Sequence, residues 1–226
     1  MHWIGARLRR VCVAVLIIGL GAGLAIGLYV RSLSAPVPLS GKVDVDDALL
    51  SALHANIQPG DLIFRGRANS WGDLGARLSD RDQRFGHVGV IVQGSGAAPS
   101  FEVIDAAGHP LSREATVARG RLDHFLHRAD QVGVYRVVVS DERRKVFLAA
   151  LERHADIPTP FDNHFSLASS DALYCTELIR AALMEATGVD PIEEVTLWQG
   201  ERVIALDDLQ GSPIVFEVMA WSSLPP

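Results

Sequence analysis

No charged residue occurs between Arg10 and Arg31, and this limits what the first part of the chain can fold into. Residues 11–30, VCVAVLIIGLGAGLAIGLYV, are mostly apolar. At a rise of about 1.5 Å per residue, a helix over this segment would be about 30 Å long, which matches the hydrocarbon thickness of a bilayer. A helix in a globular core would keep a polar face, and this segment has none. The sequence therefore predicts a transmembrane helix over 11–30.

The flanking residues favour a retained anchor over a cleaved signal peptide. The apolar segment is longer than the roughly 7–15 residues of a signal-peptide core. The best small-residue cleavage site, SLSA, is followed directly by Pro36. Three arginines precede the segment and only Arg31 closely follows it, which places residues 1–10 in the cytoplasm by the positive-inside rule. We expect a single-pass protein whose remaining chain faces the periplasm or the outside; secretion after signal cleavage is the alternative.

The charge beyond the anchor argues against a nucleic-acid partner. The three N-terminal arginines leave 18 of the 21 Lys and Arg residues against all 27 Asp and Glu residues, a net charge of −9. Proteins that bind nucleic acid usually carry a basic face for the phosphates. We therefore expect no nucleic-acid binding.

Residues 31–43 contain the Pro- and Ser-rich stretch SLSAPVPLSGK, which predicts a linker. Residues 44–226 are then long enough for one domain with a hydrophobic core. Apolar periodicity predicts strands in QPGDLIFRG and at 87–93, 100–107 and 132–140, and helices at 44–57, 70–80, in RLDHFLHRA and at 141–155. The stretch RVIALDDLQGSPIVFEVMAW is a candidate for further strands. The pattern indicates an α+β domain, a central antiparallel sheet with helices outside it.

Cys175 is the only cysteine outside the first dozen residues, and it lies in DALYCTELIRAALMEATG. One interpretation is structural, because Cys175 shares a helix face with Leu178 and Ile179 and small cysteines are often buried. The other interpretation is chemical. With Asp171 as N-cap and Gly188 as terminator, Cys175 lies in the first or second turn. Backbone N–H groups there favour a thiolate and can stabilise an oxyanion.

A nucleophilic cysteine needs a base, and His87 is the best placed of the eight histidines. It opens the apolar strand HVGVIVQ, where the chain leaves a loop. The next strand offers Glu102 and Asp105, which point to opposite faces, so at most one of them can orient His87. A two-residue GS turn would pair His87 with Glu102 but place Pro99 inside a strand. A longer loop over GSGAAP pairs His87 with Asp105 or Ala106, and the proline favours this pairing.

The motifs GDLIFRG, HVGVIVQ, VIDAAG and FDNHF…DALYCTELI occur in this order over roughly residues 57–186. They resemble the circularly permuted papain-like cysteine hydrolases, the YiiX/YaeF-like amidases, which are distant relatives of the NlpC cell-wall peptidases. Permutation puts the histidine before the cysteine, whereas ordinary papain-like and NlpC-type chains put the cysteine first. The resemblance implies a permuted papain-like (NlpC-type) fold with Cys175 as nucleophile and His87 as base. It also implies Asp105 as the third residue, where relatives usually have glutamate.

The resemblance implies a cysteine-dependent acyl hydrolase, an amidase or peptidase, that needs no metal or other cofactor. An anchored domain facing outwards points to peptide or lipid amide and ester bonds of the cell envelope. The alternatives are a lipid-directed acyltransferase and a non-catalytic binding domain of the same fold. His124 and His127 have a metal-compatible spacing but no third ligand, so we expect a solvated helix face there. Glu177 and Asp61, which belong to the motifs, are expected to be structural.

Overall fold

A computed structural model describes residues 47–66, 75–96, 100–107, 116–127, 129–157, 159–168 and 171–223 of the chain. The chain divides after Ser40 into two units, and all the described residues belong to the second, Gly41–Pro226. The predicted N-terminus 1–10, transmembrane segment 11–30 and linker 31–43 therefore lie outside the described residues. Within the described ranges, no helix is both long and apolar enough to cross a membrane.

The described residues combine one large sheet with helices. The helices are α1 (Asp47–Asn56), α2 (Leu122–Leu126), α3 (Asp141–Asp156), α4 (Cys175–Thr187) and α5 (Leu206–Gln210), and residues 75–78 are also helical. The strands are β1 (Leu62–Gly66), β2 (His87–Gln93), β3 (Phe101–Ala106), β4 (Val117–Arg121), β5 (Gln131–Val137), β6 (Thr196–Trp198), β7 (Glu201–Val203) and β8 (Val215–Ser222).

The sheet is antiparallel throughout its described strands, and it has the order β4-β3-β2-β1-β5-β8. Strands β6 and β7 form a separate antiparallel hairpin. The central strands β1 and β2 thus have a neighbour on both sides. The predicted α+β class with an antiparallel sheet is confirmed.

Helices cover both faces of this sheet and create two hydrophobic cores. Side-chain alternation along β2 sends Val88, Val90 and Val92 into one core and Ile91 into the other. Helices α3 and α4 contribute to the first core, and helices α1 and α2 to the second. Burial on both faces explains why β2 reads as a nearly continuous apolar run instead of an alternating one.

The predicted elements agree with the structure wherever local periodicity is strong. The strand predicted at 87–93 has the same bounds in the structure, and the helix predicted at 141–155 extends by one residue. The last stretch, the candidate for further strands, does contain strands. It forms β7 and β8, but helix α5 lies between them, because the Asp208 carboxylate accepts a hydrogen bond from the backbone N–H of Ala205 at the helix start (2.9 Å).

The glycine of the HVG motif has a steric reason. A Cβ atom on Gly89 would lie 2.4 Å from Cγ1 of Val103 and 3.1 Å from both Cβ of Asp105 and Cε2 of Phe125. A side chain at Gly89 would therefore force the Val103 side chain to shift and would press on Asp105. By contrast, a Cβ on Gly120 of β4 would have no heavy atom within 4 Å.

Gly89→Ala should lower the free energy of unfolding by about 1–3 kcal/mol, the usual cost of overpacking a core. The matched control is Gly120→Ala, which should leave stability unchanged or raise it by about 0.5–1 kcal/mol, because it only removes backbone freedom. Thermal or urea unfolding of the full-length variants measures both. Equal effects of the two substitutions would contradict the packing described for Gly89.

Candidate active site

His87 lies at one end of the sheet, where β2 begins and β1 and β3 finish. Antiparallel pairing sets Arg65, near the end of β1, directly opposite His87. The same end of β3 carries Asp105. The His87 and Asp105 side chains are 16% and 15% exposed, so both are largely shielded from water yet reachable from it.

The imidazole of His87 is held by the carboxylate of Asp105. Nε2 of His87 lies 2.7 Å from Oδ2 of Asp105. Val90 pairs with Ile104, so in the next antiparallel pair Asp105 lies opposite Gly89. The expectation that His87 sits directly opposite Asp105 or Ala106 was therefore wrong in register. The contact is diagonal, and the missing side chain at Gly89 leaves room for it.

Glu102 lies on the other face of β3 and has different partners. Its carboxylate forms an ion pair with the guanidinium of Arg119, which also binds Glu152 of α3. The opposite orientation of Glu102 and Asp105 follows from their spacing of three residues along a strand. Of these two acids, the structure brings only Asp105 to His87.

Cys175 is the first residue of α4. Tyr174 is the N-cap, with φ −95° and ψ 172°, so the predicted N-cap at Asp171 was wrong by three residues. The helix ends as predicted, at Gly188 with φ 77°, a left-handed conformation that glycine adopts without strain. Cys175 is half-buried and packs against the first core, and its side chain is one of the groups that act on the His87 imidazole.

Two neighbours raise the pKa of His87 to about 9. Burial of the ring disfavours the imidazolium and opposes this shift, but hydrogen bonds and negative charge from Asp105 and Cys175 outweigh it. The folded-state pKa thus lies above the ordinary value of 6.5. This contribution to stability is fully present below pH 6.5 and is lost as the pH rises through about 9. At neutral pH the site therefore favours the imidazolium form of His87.

The family of the chain follows from its sequence together with this site. Residues 56–204 match the sequence model of the family described as "Permuted papain-like amidase enzyme, YaeF/YiiX, C92 family". The chain belongs to this family. The expectation of a cysteine hydrolase enzyme of the amidase or peptidase kind is thereby confirmed, because the family is one of permuted papain-like amidases.

The fold is similar to that of a solved family member. The crystal structure of the metalloprotein YiiX from Escherichia coli O157:H7 superposes with a TM-score of 0.59 at 20% sequence identity, and the alignment covers 75% of this chain and 99% of the YiiX chain. None of the curated proteins matches the chain. At this identity, the likeness to YiiX shows a shared fold.

An aromatic side chain that the sequence analysis missed packs against the histidine. The ring centroids of Phe125 and His87 are 5.6 Å apart. The guanidinium of Arg65 stacks over the same phenyl ring at 4.7 Å and donates a hydrogen bond to the Phe125 carbonyl (2.7 Å). The only sequence signal for Phe125 was its apolar position in the predicted short helix RLDHFLHRA. The contact with Phe125 limits the rotation of the imidazole.

Glu177 of the same motif is buried behind the helix start. It is the third residue of α4, and its carboxylate accepts a hydrogen bond from the backbone N–H of the N-cap residue Tyr174, as in half of a capping box. Its Oε2 atom is buried without a hydrogen-bond partner. Burial, reinforced by the negative charge of Asp162, raises the pKa of Glu177 to about 7. This contact accords with the structural role expected for Glu177.

Asp61 lies at the other end of the sheet from His87. It is buried, accepts a hydrogen bond from the backbone N–H of Gln58 (3.0 Å) and forms an ion pair with Arg136 (2.8 Å). These contacts close the turn before β1, as expected for a structural residue.

The remaining histidines do not join the site within the described ranges. His54, His124, His127 and His164 are exposed, and His154 contacts Thr159. His2 and His109 lie outside the described residues. Among the residues that the structure describes, no three His, Cys, Asp or Glu side chains cluster as metal ligands would.

Glu177→Gln should raise stability in a pH-dependent way. Because the folded-state pKa of about 7 exceeds the ordinary 4.5, the wild type loses stability as the pH rises from 4.5 to 7, while glutamine stays neutral. We therefore expect equal melting temperatures near pH 4 and a higher melting temperature for the variant at pH 8. A difference that is the same at both pH values would contradict the burial of this carboxylate.

Proposed function

We propose that this protein is a cysteine-dependent acyl hydrolase whose nucleophile is Cys175, with His87 as base and acid and Asp105 as the residue that orients it. The observation that carries the proposal is the position of His87, which is hydrogen-bonded to Asp105 and lies close enough to Cys175 for that side chain to raise its pKa. Membership of a papain-like amidase family supports the hydrolase activity itself.

The first half of the proposed reaction forms an acyl-enzyme. His87 holds the proton taken from the thiol, and the sulfur of Cys175 attacks the carbonyl carbon of an amide or ester. The carbonyl oxygen becomes an oxyanion, which the backbone N–H of Cys175 at the start of α4 can bind. When the tetrahedral intermediate collapses, the carbon–nitrogen or carbon–oxygen bond breaks, and the imidazolium of His87 gives its proton to the leaving group.

The second half returns the enzyme to its starting state. His87 takes a proton from water, the resulting nucleophile attacks the thioester carbonyl, and the carbon–sulfur bond breaks. The products are a carboxylic acid and the Cys175 thiolate paired with the imidazolium. Asp105 holds the ring in one orientation throughout and stabilises its protonated form.

For the substrate, we propose peptide or lipid amide and ester bonds of the cell envelope. The amidase family supports a peptide-type substrate. The uncharged segment 11–30 supports a single membrane anchor, with the catalytic domain facing the periplasm or the outside. The net charge of −9 after this segment supports the absence of a nucleic-acid partner.

The proposed reaction uses no metal. The E. coli YiiX structure is described as that of a metalloprotein. In this chain, the side chains around His87 within the described ranges lack the three clustered ligands that a metal ion needs. We therefore route no step through a metal.

Iodoacetamide should alkylate Cys175 of the folded full-length protein rapidly near pH 7, and Cys175→Ala should abolish this labelling. Asp105→Asn should slow alkylation on the order of 10²-fold, because the imidazolium that favours the thiolate loses its partner. Glu102→Gln is the matched control, since this acid lies on the same strand but faces away from His87, and it should leave the rate unchanged. Cys12→Ala in all variants removes the second thiol.

Labelling that persists in folded Cys175→Ala would contradict the proposed nucleophile. Equal slowing by Asp105→Asn and Glu102→Gln would contradict the role of Asp105. Mass spectrometry of wall peptides and N-acyl lipids, with and without an added acyl acceptor, then separates hydrolysis from acyl transfer.

A further inference from the structure

The residues on both sides of Cys175 bind one peptide group of a distant segment. The hydroxyl of Tyr174 accepts a hydrogen bond from the backbone N–H of Ile204 (2.8 Å). The hydroxyl of Thr176 donates a hydrogen bond to the carbonyl oxygen of the same Ile204 (2.7 Å). Tyr174 and Thr176 are 1% and 2% exposed, so neither bond competes with bulk water. We call these two bonds the Ile204 clamp.

The clamp adds support from a distant segment to the partial local cap that Glu177 provides. Tyr174 is the N-cap of α4 but makes no side-chain hydrogen bond to the first turn. Thr176 likewise bonds outside its own helix. Two bonds on opposite sides of Cys175 fix both the position and the rotation of the first turn relative to Ile204, which a single capping bond would not do.

Ile204 is itself firmly held. It is 1% exposed in the first core and connects β7 with the start of α5. The Asp208 carboxylate accepts hydrogen bonds from the backbone N–H groups of Ala205 (2.9 Å) and Thr196 (2.9 Å), and it forms an ion pair with Arg81. The clamp therefore ties the start of α4 to a rigid part of the fold.

We propose that Tyr174 and Thr176 are positioning residues that hold the thiol of Cys175 in place against His87 through the Ile204 peptide group. This inference rests on the proposed role of Cys175 as nucleophile. A displacement of about 1 Å at a reacting group can cost on the order of 10²-fold in rate, so two buried bonds beside the nucleophile have a direct effect on catalysis. This gives a functional reason for Tyr174 and Thr176 on either side of Cys175 in the YCT motif.

The test compares Thr176→Val with Thr176→Ser. Valine keeps the shape of threonine but leaves the Ile204 carbonyl without its donor, whereas serine keeps the hydroxyl. With Cys12 replaced by alanine in every variant, iodoacetamide alkylation of Cys175 should slow at least tenfold in Thr176→Val, and its onset should move to higher pH. Thr176→Ser should stay within about twofold of the wild-type rate.

Thr187→Val is the matched control for stability. Thr187 is the last residue of the same helix, and its hydroxyl donates to the carbonyl of Leu183 (2.7 Å). Loss of this hydrogen bond in Thr187→Val should lower the free energy of unfolding by about 0.5–1.5 kcal/mol, as for a typical hydrogen bond. It should not change the rate or the pH profile of Cys175 alkylation. A merely structural role for Thr176 would give the same pattern as Thr187.

The outcomes separate this inference from the proposed function. An unreactive thiol in the folded wild type would overturn both. A reactive wild type with equal rates and pH profiles in Thr176→Val and Thr187→Val would overturn the clamp alone. If circular dichroism shows that Thr176→Val does not fold, Tyr174→Phe takes its place, because it removes a single oxygen atom and leaves the Ile204 N–H without its acceptor.

Discussion

The hydrogen bond between His87 and Asp105 is the interaction on which the site depends. It joins the beginning of one strand to the end of the next, so it requires the antiparallel pairing of β2 and β3 in one register. It also requires glycine at position 89, because a side chain there would collide with Val103 and press on Asp105. A slip of one residue would turn Asp105 to the opposite face of the sheet. The packing of β2 against β3 therefore also determines the orientation of the His87 imidazole.

The site joins two sides of the sheet. His87 and Asp105 lie on the face covered by α1 and α2, where Phe125 packs against the histidine. Cys175 begins α4, which packs on the other face. The groups meet because His87 is the first residue of its strand and Cys175 is the first residue of its helix, so both lie where their elements end. The start of α4 must consequently be fixed by long-range contacts, and the bonds to Ile204 provide them.

Local patterns were enough to predict most of the strands and the Cys175 helix and to make Cys175, His87 and Asp105 candidates, whereas their roles came from the resemblance to the family. The apolar run after His87 and the helical spacing after Cys175 are signals within a few residues. The N-cap was misplaced because Asp171 is a good capping residue by type, whereas the actual start is determined by contacts of Tyr174 and Thr176 with a residue about 30 positions away. The diagonal register and the packing of Phe125 were missed for the same reason, since they depend on tertiary contacts that no local pattern records.

The most direct test of the account is an NMR titration of the His87 imidazole in the folded protein. Because Asp105 and Cys175 both act on the ring, we expect an apparent pKa of about 9 in the wild type. We expect a clear fall of this pKa in Cys175→Ala and in Asp105→Asn, because each variant removes one of the groups that stabilise the imidazolium. A wild-type pKa near the ordinary 6.5, unchanged in both variants, would contradict the claim that His87 is held between these two groups.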